Sequence, residues 1–204
     1  MTGLQNKVVL VTGASSGIGA AVAVDFAKLG CKLSIVGRIA ENLEKTAVNC
    51  IAAGCLKENI FQSIAELTNE EECEKIVEDT CKYFGKLDVL YNTLFPASVA
   101  KAALDQLTRA LSLESGPKGV RVVSVNPGSV EDTAIWERSG ICPTEEKLQA
   151  HHAKSRPMYP LQRLTNSAEV AGVVTWLASD DASFIHGVIL PVDGGITCMS
   201  QYMM

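Results

Sequence analysis

The sequence lacks any block of basic residues. Its 18 Lys and Arg are outnumbered by 23 Asp and Glu, so the formal net charge is −5 at pH 7. A chain of this charge offers no surface attractive to nucleic acid or to an anionic membrane. We therefore expect neither of them as a partner.

Long hydrophobic runs and a secretory leader are also missing. No apolar run reaches the ~18 residues that a membrane-spanning helix needs. The N-terminal stretch "MTGLQNKVVLVTG" has neither the charged region nor the cleavage site of a signal peptide. The sequence therefore predicts a cytoplasmic protein.

The chain has seven cysteines but no Cys-x-x-Cys pair. An odd number of cysteines in a cytoplasmic protein predicts free, mostly buried thiols rather than a disulfide framework. His151 and His152 are adjacent, which is not the helical spacing of a chelating pair. We predict no metal site.

The 204 residues present suit a single domain, 1–204, with a sizeable core. Apolar segments alternate along the chain with longer segments of helical periodicity. The predicted strands are 7–12, 32–36, 59–64, 87–91, 120–125 and 188–192. The predicted helices are 18–29, 40–53, one that ends at Phe84 after a capping box of Thr68 and Glu71, 98–114 and 167–179. Strands without polar alternation, separated by helices, indicate an α/β fold with a doubly wound, Rossmann-like parallel sheet.

A glycine-rich segment, "TGASSGIG", follows the first strand and opens the first helix. Gly13, Gly17 and Gly19 allow the tight turn and the close backbone approach that other residues hinder. The helix N-terminus then offers unpaired N–H groups and a partial positive charge to a pyrophosphate. This strand–turn–helix context predicts dinucleotide binding, although a tight turn without a ligand remains the alternative.

The second strand ends in "IVGR", with Arg38 where an NAD-binding fold usually carries an acidic residue for the ribose 2′-hydroxyl. A guanidinium can instead bind a 2′-phosphate with two hydrogen bonds. We predict NADP(H) as the preferred cofactor and NAD(H) as a possible one. The other interpretation is a solvated loop arginine.

Five segments together resemble the short-chain dehydrogenase/reductase family of the classical type. They cover nearly the whole chain and read "TGASSGIG", "GKLDVLYN", "SVAKAALDQLTRALSLE", "GVRVVSVNPG" and "ASFIHGVILPVDGG". The resemblance implies an NADP(H)-dependent oxidoreductase of a small-molecule carbonyl/alcohol pair, similar to 3-oxoacyl reductases and related carbonyl reductases. It also implies dimers or tetramers through the helix at 98–114 and the missing helix before it.

The resemblance further implies a set of cofactor-binding residues. The pyrophosphate and adenosine phosphate would be held by Gly13, Ser15, Ser16, Gly17, Ile18 and Gly19. Arg38 would meet the 2′-phosphate, and Glu66 would lie near the adenine. Asn92 remains from the Asn-Asn-Ala-Gly motif, and Lys101 would hold the nicotinamide ribose. Pro127, Gly128 and Val130 would face the nicotinamide, with Thr133 near its amide or the phosphate.

The family's reaction uses a tyrosine as proton donor, a lysine that lowers the tyrosine pKa, and a serine that polarises the carbonyl. Lys101 matches the lysine, but Ala97 stands where the tyrosine is expected. The strand that would carry the serine is missing after Asn92, with roughly fifty residues absent relative to the usual domain size. We expect the sheet to lose a central strand and to expose apolar faces that the missing helix would cover.

Three interpretations stay open. The chain belongs to an enzyme lineage but is catalytically impaired, or it is a non-catalytic dinucleotide-binding or partner protein, or it is an unstable fragment of a longer isoform. The substrate is unreadable, and Trp136, Met158 and Tyr159 are candidates for its pocket or for core packing alone.

Overall fold

The computed structural model describes residues 1–92, 98–133 and 144–199, without the side chains of residues 98 and 99. Ala97 and Trp136, both singled out in the sequence, lie outside the described residues. The chain divides into two compact units, one formed by Met1–Phe95 with Ala171–Ser183, the other by Pro96–Val170 with Phe184–Met204. The prediction of one domain over 1–204 stays a prediction.

The first unit contains a four-stranded parallel sheet in the order β3-β2-β1-β4. Its strands are β1 (Val8–Val11), β2 (Lys32–Gly37), β3 (Ile60–Ile64) and β4 (Val89–Tyr91). β1 and most of β2 are buried without polar alternation, as a sheet covered on both faces requires. The predicted parallel, Rossmann-like α/β fold is confirmed.

Three helices follow the strands of this sheet, namely α1 (Gly17–Lys28), α2 (Ala40–Ala52) and α3 (Glu70–Phe84). Alternate residues of β2 point to opposite faces. Ser34 bonds to Thr80 of α3, whereas a side chain at Gly37 would meet Leu43 of α2. The sheet therefore has helices on both faces, and its carboxyl edge is left for the loops.

The start of α3 differs from the predicted capping box. Asn69 is the N-cap, and its side-chain oxygen accepts a hydrogen bond from the N–H of Glu71 at 2.9 Å. Thr68 therefore lies outside the helix. Asn is as good an N-cap as Thr, and the choice between neighbouring caps depends on where the chain leaves β3.

The second unit contains α4 (Ser98–Ser115), α5 (Glu145–Ser155) and α7 (Ile196–Met199), together with the two strands β5 (Ser124–Pro127) and β6 (Ile189–Val192). The two strands pair in parallel, Ser124 with Ile189 and Pro127 with Val192. The remaining helix, α6 (Ser167–Ala178), contains the point where the chain passes between the units. The described strands therefore form one four-stranded and one two-stranded parallel sheet.

β5 begins at Ser124 instead of the predicted residue 120. The N–H of Val120 donates to the carbonyl of Ser115, the last residue of α4, and the N–H of Val122 donates to Nδ1 of His186. These two N–H groups are committed to a helix end and a side chain, so they cannot enter the ladder.

Apolar side chains are exposed at β4 and on α4. Leu90 is 57% exposed in β4, the last strand of its sheet, and Leu107, Leu111 and Leu113 are 49%, 40% and 81% exposed on α4. Among the helices that the structure describes, none combines the length and apolar character needed to cross a membrane.

Candidate dinucleotide-binding site

The glycine-rich loop leaves β1 between its two neighbouring strands. The N–H of Thr12 donates to the carbonyl of Tyr91 at the end of β4, and the N–H of Ala14 donates to the carbonyl of Val36 in β2. Both bonds are 2.9–3.0 Å long. They fix the loop at the carboxyl edge of the sheet, where open α/β sheets bind their ligands.

Two features of the loop require glycine. Gly13 has φ +64°, in the left-handed region. A Cβ on Gly19 would lie 2.7 Å from the carbonyl carbon of Gly13 and closer still to its oxygen. The backbone of α1 thus packs directly on the turn, which leaves a cradle that a side chain would fill.

The N-terminus of α1 suits an anion. The helix begins at Gly17 after an extended Ser16, and its first turn, all of which is described, contains no acidic residue. Its N–H groups and its dipole point out of the same turn that Gly13 and Gly19 form. Ser15, Ser16 and Ile18 are half-buried around it. These residues fit the pyrophosphate of a dinucleotide.

Thr46 supports this loop and was missed by sequence reasoning. Its hydroxyl donates to the carbonyl of Ala14 at 2.8 Å from a buried position on α2. Thr46 lies on the same buried helix face as Leu43, Ala47 and Cys50. A polar residue within that apolar stripe was the available signal.

Arg38 and Glu66 lie together at the ends of β2 and β3. Nη1 of Arg38 is 3.4 Å from Oε1 of Glu66. At the same edge, a Cβ on Gly37 would meet the Cβ of Ser15 at 2.9 Å, so the small residue before Arg38 leaves room for the loop. The structure therefore brings together the two residues that were predicted for the 2′-phosphate and the adenine.

Asn92 follows β4 beside the loop. Its Oδ1 accepts a hydrogen bond from the Thr12 hydroxyl at 2.8 Å. This bond ties the residue after β4 to the residue after β1, so Asn92 belongs to the same edge as the glycine loop.

In the second unit, Gly128 continues from β5 and bonds through its N–H to the carbonyl of Val192 at 3.0 Å. Tyr159 packs on it, since a Cβ on Gly128 would be 3.1 Å from Cε1 of the ring. The Tyr159 hydroxyl donates to Oγ of Ser129 at 2.8 Å and accepts from the N–H of Ser129 at 3.0 Å. Tyr159 is buried, so it supports the Pro127–Gly128 turn as a packed residue, while Met158 is exposed.

Val130 and Thr133 lie in the loop that follows. Val130 forms a parallel bridge with Thr165, and the Thr133 hydroxyl donates to the Val130 carbonyl at 3.3 Å. Asp132 accepts from the N–H and the hydroxyl of Ser167 at 2.7 and 2.6 Å, which caps the start of α6. The predicted nicotinamide-side residues are thus held together within this unit.

Lys101 is half-buried on α4. One turn further along α4, both carboxylate oxygens of Asp105 accept hydrogen bonds from Nδ2 of Asn126, at 3.2 Å to Oδ1 and 3.1 Å to Oδ2. The helix with Lys101 is therefore fastened to the strand that leads to Pro127. Sequence reasoning did not identify this pair, because residues 21 positions apart give no local signal.

Three of the described cysteines, Cys31, Cys50 and Cys55, are buried. Six cysteines are free, and burial raises the pKa of Cys31 and Cys50 to about 12. Cys142 lies outside the described residues. Within residues 1–92, 98–133 and 144–199, no group of three or more His, Cys, Asp or Glu side chains is placed to hold a metal ion.

Two protein-family models match adjoining parts of the chain and together cover residues 7–197. Residues 7–94 match the model described as short chain dehydrogenase, and residues 94–197 match the model described as enoyl-(acyl carrier protein) reductase. Among individual proteins, the chain is 30% identical to the peroxisomal 2,4-dienoyl-CoA reductase of Mus musculus over 94% of this chain and 84% of that one. It is 29% identical to an uncharacterized oxidoreductase of Thermotoga maritima, over 96% and 99%.

Solved structures give the same likeness. Glucose dehydrogenase of Caenorhabditis elegans in its apo form aligns with a TM-score of 0.83 and 28% identity, over 97% of this chain and all of that one. A short-chain dehydrogenase/reductase of unknown function from the same organism, solved with cofactor, aligns with a TM-score of 0.86 and 25% identity over 96% of each chain.

Proposed function

Because this chain belongs to the short-chain dehydrogenase/reductase family, we propose that it binds NADP(H) and derives from an oxidoreductase of a carbonyl/alcohol pair. The 204-residue chain itself retains the cofactor-binding residues and has impaired turnover. The relatives are named for different substrates, so the proposal is limited to the chemical class.

The observation that carries this proposal is the close packing of Gly19 on Gly13 at the start of α1. The backbones of the two glycines meet without a side chain between them, and the helix behind the turn has no acidic residue in its described first turn. Such a turn accepts a pyrophosphate because backbone N–H groups and the helix dipole converge there.

The proposed preference for NADP(H) rests on Arg38. The Arg38 side chain is 65% exposed at the end of β2, so a 2′-phosphate can reach it from solvent. A planar guanidinium can donate two hydrogen bonds to one phosphate.

Bound NADP(H) would supply the hydride, and the chain's own residues would position the two reactants. Lys101 would hold the ribose, and Pro127 and Gly128, supported by Tyr159, would line the nicotinamide face. No proton donor stands four residues before Lys101, because Ala97 has no ionisable group. Protonation of the substrate oxygen therefore has no side chain to perform it at that position.

The missing helix–strand unit is part of this proposal. The two family models meet at residue 94, immediately before the position where the serine strand and the tyrosine would fall. The alignment with the Thermotoga oxidoreductase runs over 257 positions, more than the 204 residues of this chain. The relative therefore has residues without a counterpart here, which supports an internal loss.

A non-catalytic role as a dinucleotide-binding or partner protein is the second candidate function. Ala97 favours it, because the loss of the proton donor leaves the glycine loop and Arg38 unaffected.

The free cysteines support a reducing compartment, and we propose the cytoplasm.

A homo-oligomer through α4 is also proposed, supported by the exposed Leu107, Leu111 and Leu113. Light scattering would measure the molar mass of the purified chain at micromolar concentration. The mass of a single chain throughout would contradict this proposal.

Thermal unfolding and a turnover assay test the main proposal. With NADPH at about 100 times its dissociation constant, the native state should gain about 2.7 kcal/mol, seen as a higher Tm. NADPH oxidation with a panel of ketones and aldehydes should stay at the rate without protein. A chain that melts cooperatively with no NADPH shift would contradict cofactor binding, and rapid NADPH oxidation would contradict impaired turnover.

An unstable fragment would instead show no cooperative thermal unfolding transition at all.

The transcript sequence across codons 92–98 provides an independent check on the missing unit. A transcript that encodes a serine strand and a tyrosine before Ser98 would assign full activity to the longer product.

A further inference from the structure

We propose that Glu66 reduces the preference of this chain for NADP(H) by pairing with Arg38, the residue that would bind the 2′-phosphate. The ion pair must be exchanged for the phosphate when NADP(H) binds, and the Glu66 charge then remains beside the phosphate. Glu66 thus weakens the choice of NADP(H) over NAD(H). This inference rests on the proposed dinucleotide site.

The backbone places the two residues side by side. Gly37 and Ile64 are the last paired residues of β2 and β3, and Arg38 and Glu66 follow them by one and two positions. The N–H of Ala65 donates to the carbonyl of Gly37 at 3.2 Å, which extends the link beyond the strands. The backbone pairing of β2 with β3 therefore places Arg38 and Glu66 next to each other, whichever conformations their side chains adopt.

Glu66 is held on its other side by α3. Its backbone N–H donates to Oε2 of Glu72 at 2.9 Å, and Glu72 lies in the first turn of that helix. The loop that carries Glu66 is thus bonded both to β2 and to α3. A 2′-phosphate bound at Arg38 would find the Glu66 carboxylate within a few ångströms.

The Arg38–Glu66 contact is weak enough to be exchanged. It has one N–O distance, 3.4 Å, and the two side chains are 65% and 59% exposed. Exposed ion pairs of this type contribute little to stability, and a guanidinium has further N–H donors available. Arg38 can therefore turn toward a phosphate without cost to the fold.

Electrostatics determines the sign of the effect. A 2′-phosphate carries close to two negative charges at neutral pH, and the Glu66 carboxylate repels them while Arg38 attracts them. An unphosphorylated ribose has no charge for Glu66 to repel. Removal of the Glu66 charge should therefore strengthen binding of the phosphorylated ribose selectively.

The test uses the full chain with Glu66→Gln, a substitution that keeps the size and hydrogen-bonding capacity of the side chain. Adenosine 2′,5′-bisphosphate and 5′-AMP are the probes, since they need only the adenosine half of the site, and NADPH and NADH extend the series. Calorimetry should show the ratio of bisphosphate affinity to 5′-AMP affinity rising about threefold to tenfold in Glu66→Gln, because any contact that Glu66 makes with the adenine affects both probes alike. The difference should shrink at high salt.

Two variants act as controls. Asp79→Asn removes one carboxylate from another exposed ion pair of the same length, Lys75–Asp79 at 3.4 Å on α3, and should leave both affinities unchanged. Arg38→Gln should remove the preference for the bisphosphate, and Glu66→Gln should yield a smaller gain in that background. Unfolding curves without ligand confirm that each variant is folded.

The outcomes separate this inference from the proposed function. If the unsubstituted chain binds the dinucleotides but Glu66→Gln changes the affinity for both adenosine probes by the same factor, or leaves both unchanged, the role of Glu66 is overturned and the dinucleotide site stands. If the unsubstituted chain binds none of the four ligands, the dinucleotide site and this inference fall together.

Discussion

Gly19 is the residue whose substitution most directly tests the glycine loop. Any Cβ at this position would overlap the backbone carbonyl group of Gly13, and backbone atoms cannot move aside as a side-chain tip can. The start of α1 would have to separate from the turn. The N–H groups that converge on a pyrophosphate would then lose their alignment.

We predict that Gly19→Ala lowers NADPH affinity by more than tenfold, an effect of about 1.4 kcal/mol or more. Calorimetry checks the affinity, and thermal unfolding checks the fold. Gly172→Ala is the matched control, because a Cβ at Gly172 in α6 meets no atom within 4 Å. That variant should bind NADPH normally and gain about 0.5–1 kcal/mol of stability from helix propensity. Equal affinities for the two variants would refute the packing argument.

At the level of elements, a buried hydroxyl pair joins β2 to α3. Oγ of Ser34 and Oγ1 of Thr80 are 2.7 Å apart, and both residues are fully buried. Thr80 also donates to the Ile76 carbonyl at 2.7 Å within its helix. Because Thr80 donates there, Ser34 is the donor in the pair. Its hydroxyl depends on Thr80 for a partner.

We predict that Thr80→Val destabilises the chain by about 1–3 kcal/mol, because the Ser34 hydroxyl is left buried without a partner. Ser34→Ala should cost less, since Thr80 keeps its bond to Ile76. The double variant should lose less than the sum of the two. Urea unfolding measures all three free energies.

Thr175→Val serves as the reference substitution. Among the described residues, the Thr175 hydroxyl bonds only to carbonyls of its own helix, those of Ala171 and Gly172, at 3.1 Å. Its loss leaves no side chain unpaired, so the cost should be smaller than for Thr80→Val. A larger cost for Thr175→Val would show that burial alone, and not the partner, sets the penalty.

For the whole molecule, three carboxylates with lowered pKa values make the free energy of unfolding depend on pH. Burial opposes the charge of Asp88 in the first unit, but hydrogen bonds from Lys86 and the Val8 N–H outweigh it and lower its pKa. In the second unit, the Arg163 side chain lowers the pKa of Glu169 to about 2. Asp193, despite burial, has its pKa lowered by hydrogen bonds from Thr197 and the Gly195 N–H.

Each folded pKa lies below the unfolded value, so unfolding takes up protons as the pH falls. The stabilisation is complete above the unfolded values of 3.8 for Asp and 4.5 for Glu. It is lost as the pH falls through the lowered pKa of each carboxylate, which for Glu169 is about 2. We predict a Tm that is steady from pH 7 to about 5 and falls steeply below about 4. Scanning calorimetry across this range checks the prediction, and a constant Tm down to pH 3 would contradict it.

The amino-acid sequence alone determined the α/β class, the parallel strands and the family. These features follow from local patterns, since an apolar run between helices and a glycine spacing are visible within a few residues. Most helix and strand bounds were right within one or two residues for the same reason. The placement of Gly13, Gly17 and Gly19 at the start of α1 was also readable from the chain.

Tertiary structure alone decided how distant residues meet. The pairing of Arg38 with Glu66, the support of the loop by Thr46, and the packing of Tyr159 on Gly128 depend on contacts between separate elements. The late start of β5 has the same origin, because the His186 side chain takes the N–H of Val122. A sequence pattern shows which side chains are present, whereas the partners with which they form hydrogen bonds depend on how the helices and strands pack.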